Sequence, residues 1–235
     1  MLHIASRRRA LARLSAVPVG AALTLYGCSS EPGERKAFIE FLNTRVLNTP
    51  RAAVPKLNEQ QRKEFGPYAA HYDIITGFNQ EMSDAPLTKM MASMQNMRSL
   101  PQLLAKRTEV NELLGHIPQA QQDVKARIDR ATAAKGALSQ PADLKTVYDA
   151  AFDKLVTQLG AMMLQLLPAM QGMLSAAMDL ANYVEQNPND VKFVGSTLQA
   201  TTQASLDKVS ALIKKLESEA AAVAKMESAL RKLTG

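Results

Sequence analysis

For 24 residues between Lys154 and Asp179 the chain carries no charged side chain, and a stretch of that kind can be housed in two ways. An apolar helix of about 20 residues can cross a bilayer. A helix that is apolar on most sides can instead form the centre of a bundle that surrounds it. Gln158, Gln165, Gln171 and Pro168 lie inside the run, and amides at a bilayer centre are costly unless paired. The reading is therefore a buried central helix, with a lipid-contacting module using the uncharged 155–178 helix as the alternative.

The flanking periodicity supplies the neighbours that such a helix needs. Phe38, Ile39, Phe41, Leu42 and Val46 form the apolar side of a first helix ended by Asn48-Thr49-Pro50. Residues 51–57 follow Pro50, hold Pro55 and read as a loop. Asn58 is a cap before Glu59 and Gln60, and Gly66-Pro67 interrupts before a helix carrying Tyr68, Tyr72, Ile75 and Phe78. Between Leu103 and Leu138, Val110, Leu113, Ile117, Ala120, Val124 and Ala131 recur at spacings of three and four, with Arg127 intruding and a kink expected at Pro118. Pro141 opens the next helix, which contains Leu144, Val147, Tyr148, Phe152 and Leu155 and runs towards Tyr183. Val191 to Gln199 reads as an extended connector. A last helix opens at Thr201 or Thr202, with Leu206, Val209, Ile213, Leu216, Ala220, Val223 and Leu230 as its seam and Glu227 breaking it. The fold class is all-α: an elongated multi-helix bundle with coiled-coil-like long helices, a single domain over residues 34–235.

The amino-terminal segment has a different purpose. Arg7, Arg8, Arg9 and Arg13 precede residue 28 and no Asp or Glu does, so these four account for most of the formal net charge of +6. The remainder is near neutral, which argues against nucleic-acid binding by bulk electrostatics. After the cationic stretch comes an apolar run from Leu14 to Tyr26, too short for a permanent span of about 20 residues but suited to a signal peptide. Leu25-Tyr26-Gly27-Cys28 then resembles the bacterial lipoprotein box. That resemblance implies export by the general secretory route, lipid transfer to the Cys28 thiol and cleavage between Gly27 and Cys28, although Tyr26 departs from the usual small residue. Residues 1–27 are thus expected to be a lipoprotein signal peptide and residues 28–33 a lipid-anchor linker. Ser29 and Ser30, in place of an Asp after the Cys, imply the outer membrane, facing the periplasm.

Candidate chemistry is sparse. A single cysteine excludes an internal disulfide and zinc sites built from paired cysteines. Met82, Met90, Met91, Met94 and Met97 form one sulfur-rich group, and Met162, Met163, Met170, Met173 and Met178 a second. Thioethers can hold Cu(I), so soft-metal binding is an alternative, but methionine also fills irregular gaps in helix packing, and no His or Cys accompanies these groups. His71, Tyr72 and Asp73 are adjacent on a helix and so point to different faces. His116 with Glu112 is a surface pair. No Gly-flanked nucleophile turn or phosphate-cradling loop is present, and the expectation is a protein that is not an enzyme and holds no cofactor.

Three stretches carry a family resemblance. Glu34-Arg35-Lys36-Ala37-Phe38-Ile39-Glu40-Phe41-Leu42, then Arg62-Lys63-Glu64-Phe65-Gly66-Pro67-Tyr68, and later Asp143-Leu144-Lys145 with Val147, Asp149 and Ala151-Phe152 resemble the YiaF-like bacterial lipoproteins, a domain family of unknown function. Tyr183 and Val191-Lys192-Phe193-Val194 fit as well. The resemblance implies a periplasm-facing lipoprotein and brings no activity with it. The expected role is a structural or interaction module of the cell envelope, held to the membrane by its lipid, monomeric, with an unidentified envelope protein as partner.

Overall fold

The computed structural model describes residues 30–83, 90, 92–93, 100–194 and 197–234. Its fold is an all-α bundle with one small sheet. Helix α1 (Glu31–Phe41) passes without a break into a π-helical stretch, Leu42–Leu47. Its first turn takes in Glu31, Pro32 and Gly33, residues that the sequence assigns to a linker. Proline is well tolerated there because the N–H it lacks would have no helical partner.

Helix α2 (Glu59–Phe65) begins as its sequence predicts. The Gln61 N–H donates to Asn58 Oδ1 at 2.8 Å, and the Gln61 side chain accepts from the Asn58 N–H at 3.0 Å, a reciprocal capping box. Helix α3 (Tyr68–Ser83) buries Tyr72, Ile75 and Phe78. The expected helix from Leu103 is divided into α4 (Leu100–Ala105) and α5 (Arg107–Gly136), so the break falls at Lys106, and α5 continues through the exposed Pro118. All six predicted seam residues of α5 are buried. Arg127 does not interrupt that core: its guanidinium turns to the Glu81 carbonyl at the end of α3, where a cation complements the helix terminus.

Helix α6 (Ala142–Phe152) runs through a second π-helical stretch, Asp153–Thr157, into α7 (Gln158–Gln186). Together they form 45 continuous helical residues, about 67 Å at 1.5 Å per residue. Helix α5 lies antiparallel to this rod, with Arg107 on Glu185 and Asn182 at one end and Lys135 on Asp149 at 2.9 Å at the other. The charge-free run is amphipathic in place: Leu166, Leu167, Met170 and Leu174 are buried, whereas Gln158, Ala161, Gln165 and Pro168 face outwards.

The expected connector is an antiparallel hairpin of β1 (Val191–Val194) and β2 (Thr197–Ala200), pairing Val191 with Ala200 and Val194 with Thr197. Thr202 then caps α8 (Gln203–Thr234) by accepting the Ser205 N–H at 3.1 Å. Helix α8 packs antiparallel along α7, with Lys215 Nζ at 2.9 Å from Asp179 and the Glu219 carboxylate over Gly172. The predicted seam faces inwards at Val209, Leu216, Val223 and Leu230, with Ile213 and Ala220 half-buried, whereas Leu206 is 47% exposed and Ser205 takes the inward place beside it; Leu212, Glu219 and Met226 are half-buried next to the seam. A Cβ at position 172 would stand 2.4 Å from a Glu219 oxygen, so the glycine makes room for a carboxylate in a seam that periodicity alone would fill with apolar side chains.

Candidate functional site

The segments that carry the family resemblance converge on one aromatic cluster. Phe38 is fully buried, with the rings of Phe65, Tyr68, Tyr72, Phe41 and Tyr148 at centroid distances of 5.4 to 6.5 Å. These residues come from α1, the end of α2, α3 and α6, so the cluster ties together helices remote in sequence. Tyr148 donates from its hydroxyl to the His71 carbonyl at 2.6 Å. Tyr72 is equally buried, but its hydroxyl has no partner among the described residues. Burial pushes both phenols well above their ordinary range. An unpaired buried hydroxyl costs about 1–3 kcal/mol, so Tyr72→Phe should raise stability by about 1 kcal/mol, read as a higher urea midpoint with an unchanged slope. A clear fall in the midpoint would mean that the hydroxyl is paired.

A polar rim borders this cluster. Tyr68 donates to the Glu31 carboxylate, and burial pushes its pKa up to about 12. Arg35 lies between Glu31 at 3.7 Å and Asp143 at 3.5 Å. Gly66 ends α2 with φ of 53°, a backbone conformation that selects glycine, and the Glu34 carboxylate lies over it. His71 stands edge-on to Tyr68 and Tyr148, and its Nδ1 lies 3.0 Å from Gln140 Nε2. An amide nitrogen donates, so Nδ1 accepts and the ring is neutral in this arrangement.

Burial lowers the His71 pKa from its ordinary 6.5. The unfolded chain therefore takes up the proton first. Stability is full above about pH 6.5 and declines as the pH falls through that value towards the folded-state pKa. Urea midpoints should drop between pH 7 and pH 5, and His71→Gln should flatten that part of the curve. An equally steep decline in the variant would place its origin elsewhere.

The two π-helical stretches meet at one lysine. Lys154 Nζ donates to the carbonyls of Val46 at 2.8 Å and Leu47 at 3.4 Å, and to that of Thr49. It thus serves the carboxyl end of the first stretch from within the second. Asn79 Nδ2 donates to the Leu155 carbonyl at 3.3 Å, serving a backbone oxygen in the second stretch. π-helical turns leave the regular ladder and recur at functional sites, and nothing in the local sequence marks either of these. A charged hydrogen bond contributes about 1.5–3 kcal/mol, so Lys154→Met should lower stability by about that much. A change near zero would mean that water serves these carbonyls as well as the ammonium does.

The other candidate residues fall as follows. Gly27 and Cys28, with the rest of the signal segment, lie outside the described residues, as do Met91, Met94 and Met97. Met82, Met90, Met170 and Met178 are buried in the hydrophobic core, and Met163 and Met173 pack against it, so these thioethers fill space between helices. His116 is exposed. Asp73, next to His71 and Tyr72, turns away to form a two-pronged pair with Arg62 at 2.9 and 3.0 Å. Among the described residues no three His, Cys, Asp or Glu side chains group as a metal site. The site is thus a packed aromatic centre with a hydrogen-bonded rim, suited to fixing helices against one another.

Comparison with known proteins agrees with the resemblance read from those segments. Residues 16–231 match the model of a family described as a protein of unknown function, DUF3053. The chain is 32% identical over 205 residues to the "Uncharacterized protein YiaF" of Escherichia coli K12, covering 84% of this chain and 85% of that protein. The relative of that name from Shigella flexneri gives the same identity and coverage. No solved structure matches. A family match across most of the chain, together with relatives matched over most of their own length, shows that this protein belongs to the DUF3053 family of unknown function.

Proposed function

We propose that the protein is a lipid-anchored lipoprotein of the bacterial envelope, facing the periplasm from the outer membrane, and that its helical domain is a structural and interaction module without catalytic activity. The observation that carries this reading is the placement of the single cysteine. Cys28 closes Leu25-Tyr26-Gly27-Cys28 directly after a cationic and apolar leader, where the lipoprotein box needs its thiol. Glu31, which opens α1, follows Cys28 by three residues in sequence, so the tether is short. Two or three acyl chains at about 0.8 kcal/mol per buried methylene anchor a protein firmly. Helix α7 supports the lipid as anchor, since Leu166, Leu167, Met170 and Leu174 are buried against its neighbours and none of its large apolar side chains is exposed.

The test is Cys28→Ala. Metabolic labelling with a palmitate analogue should be abolished and the precursor should persist with residues 1–27 attached. A variant that is still labelled, or that remains with outer membranes after high-salt and carbonate washes, would contradict the anchored reading.

A further inference from the structure

The hairpin is the one sheet among the described residues, and its two edges differ. The Thr201 N–H donates to the Asp190 carbonyl at 2.9 Å, which sets the antiparallel alternation. Residues 190, 192 and 194 face 201, 199 and 197 as hydrogen-bonded pairs, so Phe193, Leu198 and Ala200 turn their N–H and C=O groups away from the partner strand. On β1 this edge is blunted. The Val191 N–H is already taken by the Asn187 carbonyl at 2.9 Å, and Lys192 places a charge in the strand, a common guard against further pairing. On β2 the sequence Thr197-Leu198-Gln199-Ala200 holds no charge and no proline, and no backbone bond among the described residues reaches the outward groups of Leu198 or Ala200.

A second observation marks the same end of the molecule. Among the described residues the large hydrophobic side chains that stand exposed are Val194, at 49%, and Leu206, at 47%. One ends β1 and the other lies in the first turn of α8. A two-stranded ribbon is only marginally stable by itself and gains from a third strand.

We propose that the β2 edge, Thr197–Ala200, docks an extended segment of a partner polypeptide, which adds to the hairpin as a third strand. Main-chain hydrogen bonds to Leu198 and Ala200 supply register, and the half-buried side chains of those two residues favour apolar residues at alternate positions of the segment. A second copy of this chain fits less well. Four residues give an edge of about 13 Å, and two such edges bury far less than the roughly 800 Å² per partner of a stable dimer. A lipid surface fits worse, because open backbone groups are costly in hydrocarbon.

This docking site rests on the interaction reading but not on lipidation. The full-length chain, purified from cells in detergent, is panned against a phage library of random heptapeptides, and an enriched peptide is synthesised with a fluorophore. Methylating the peptide nitrogens that face β2 should weaken binding about tenfold or more, and methylating the intervening ones should have little effect. Leu198→Pro, which removes an outward N–H without taking a bond from the hairpin ladder, should weaken binding to a similar degree. Failure to enrich any peptide, N-methylation without this alternation, or a dimer in light scattering that Leu198→Pro dissolves would each overturn the proposal. Palmitate labelling of the same preparation separates the two ideas. Labelled protein that binds no peptide sinks the docking site alone, and unlabelled protein that binds peptide sinks the anchor alone.

Discussion

Deleting residues 203–235 should leave a chain that aggregates rather than a smaller folded bundle. Helix α8 buries Val209 and Val223 and packs the half-buried Leu216, Met226 and Leu230 against the core, and at up to about 1.5–3 kcal/mol for each fully buried side chain and less for the others, their removal costs on the order of 10 kcal/mol. Net stabilities are about 5–15 kcal/mol, so little would remain. The deletion also uncovers α7, whose buried line includes Leu166, Leu174 and Leu180, and it removes the Leu233 carbonyl that accepts the Ala52 N–H. Light scattering and circular dichroism of residues 29–235 and 29–202 check this. The longer form should be a mainly helical monomer and the shorter one should aggregate. A dimer that becomes a well-folded monomer on deletion would identify α8 as an oligomerisation arm instead.

The second large effect belongs to Phe38. Phe38→Ala should lower stability by about 3–5 kcal/mol, the range for emptying a buried aromatic site. The ring is fully buried and touches aromatic neighbours from three other helices, so the site cannot collapse without moving them. Phe38→Leu should cost less. Urea titrations of the full bundle give both values, and a loss below about 1 kcal/mol for the alanine would mean that the cluster is loosely packed.

These residues also show how far the sequence could be read. The α5 stripe was legible because its six apolar positions are separated by polar ones, leaving a single face that can turn inwards. Asn58 was legible as a cap because its partner in both bonds, Gln61, is three residues away. On α8 the apolar positions are broader than one stripe, and two inward places hold Ser205 and Glu219. Gly172, in another helix, is what accommodates Glu219, and no property of α8 by itself reveals that. Pro32 and Gly33 suggested a linker because both are poor residues for a helix interior, yet the first turn tolerates them. The hairpin was legible as extended chain, whereas its pairing depends on contact between two four-residue strands. The aromatic cluster was visible as separate residues. Its closure around Phe38 and the bridge from Lys154 to the end of the first π-helical stretch are tertiary facts.

The helical bundle is proposed to be held to the membrane through Cys28. Intact-mass spectrometry of the mature protein, extracted from cell membranes, tests it most directly. Such anchoring predicts a polypeptide that begins at Cys28 and is heavier than its sequence by two or three fatty acyl groups with their glycerol. A mature chain that begins elsewhere and carries Cys28 as a free thiol, or one that retains residues 1–27, would contradict it.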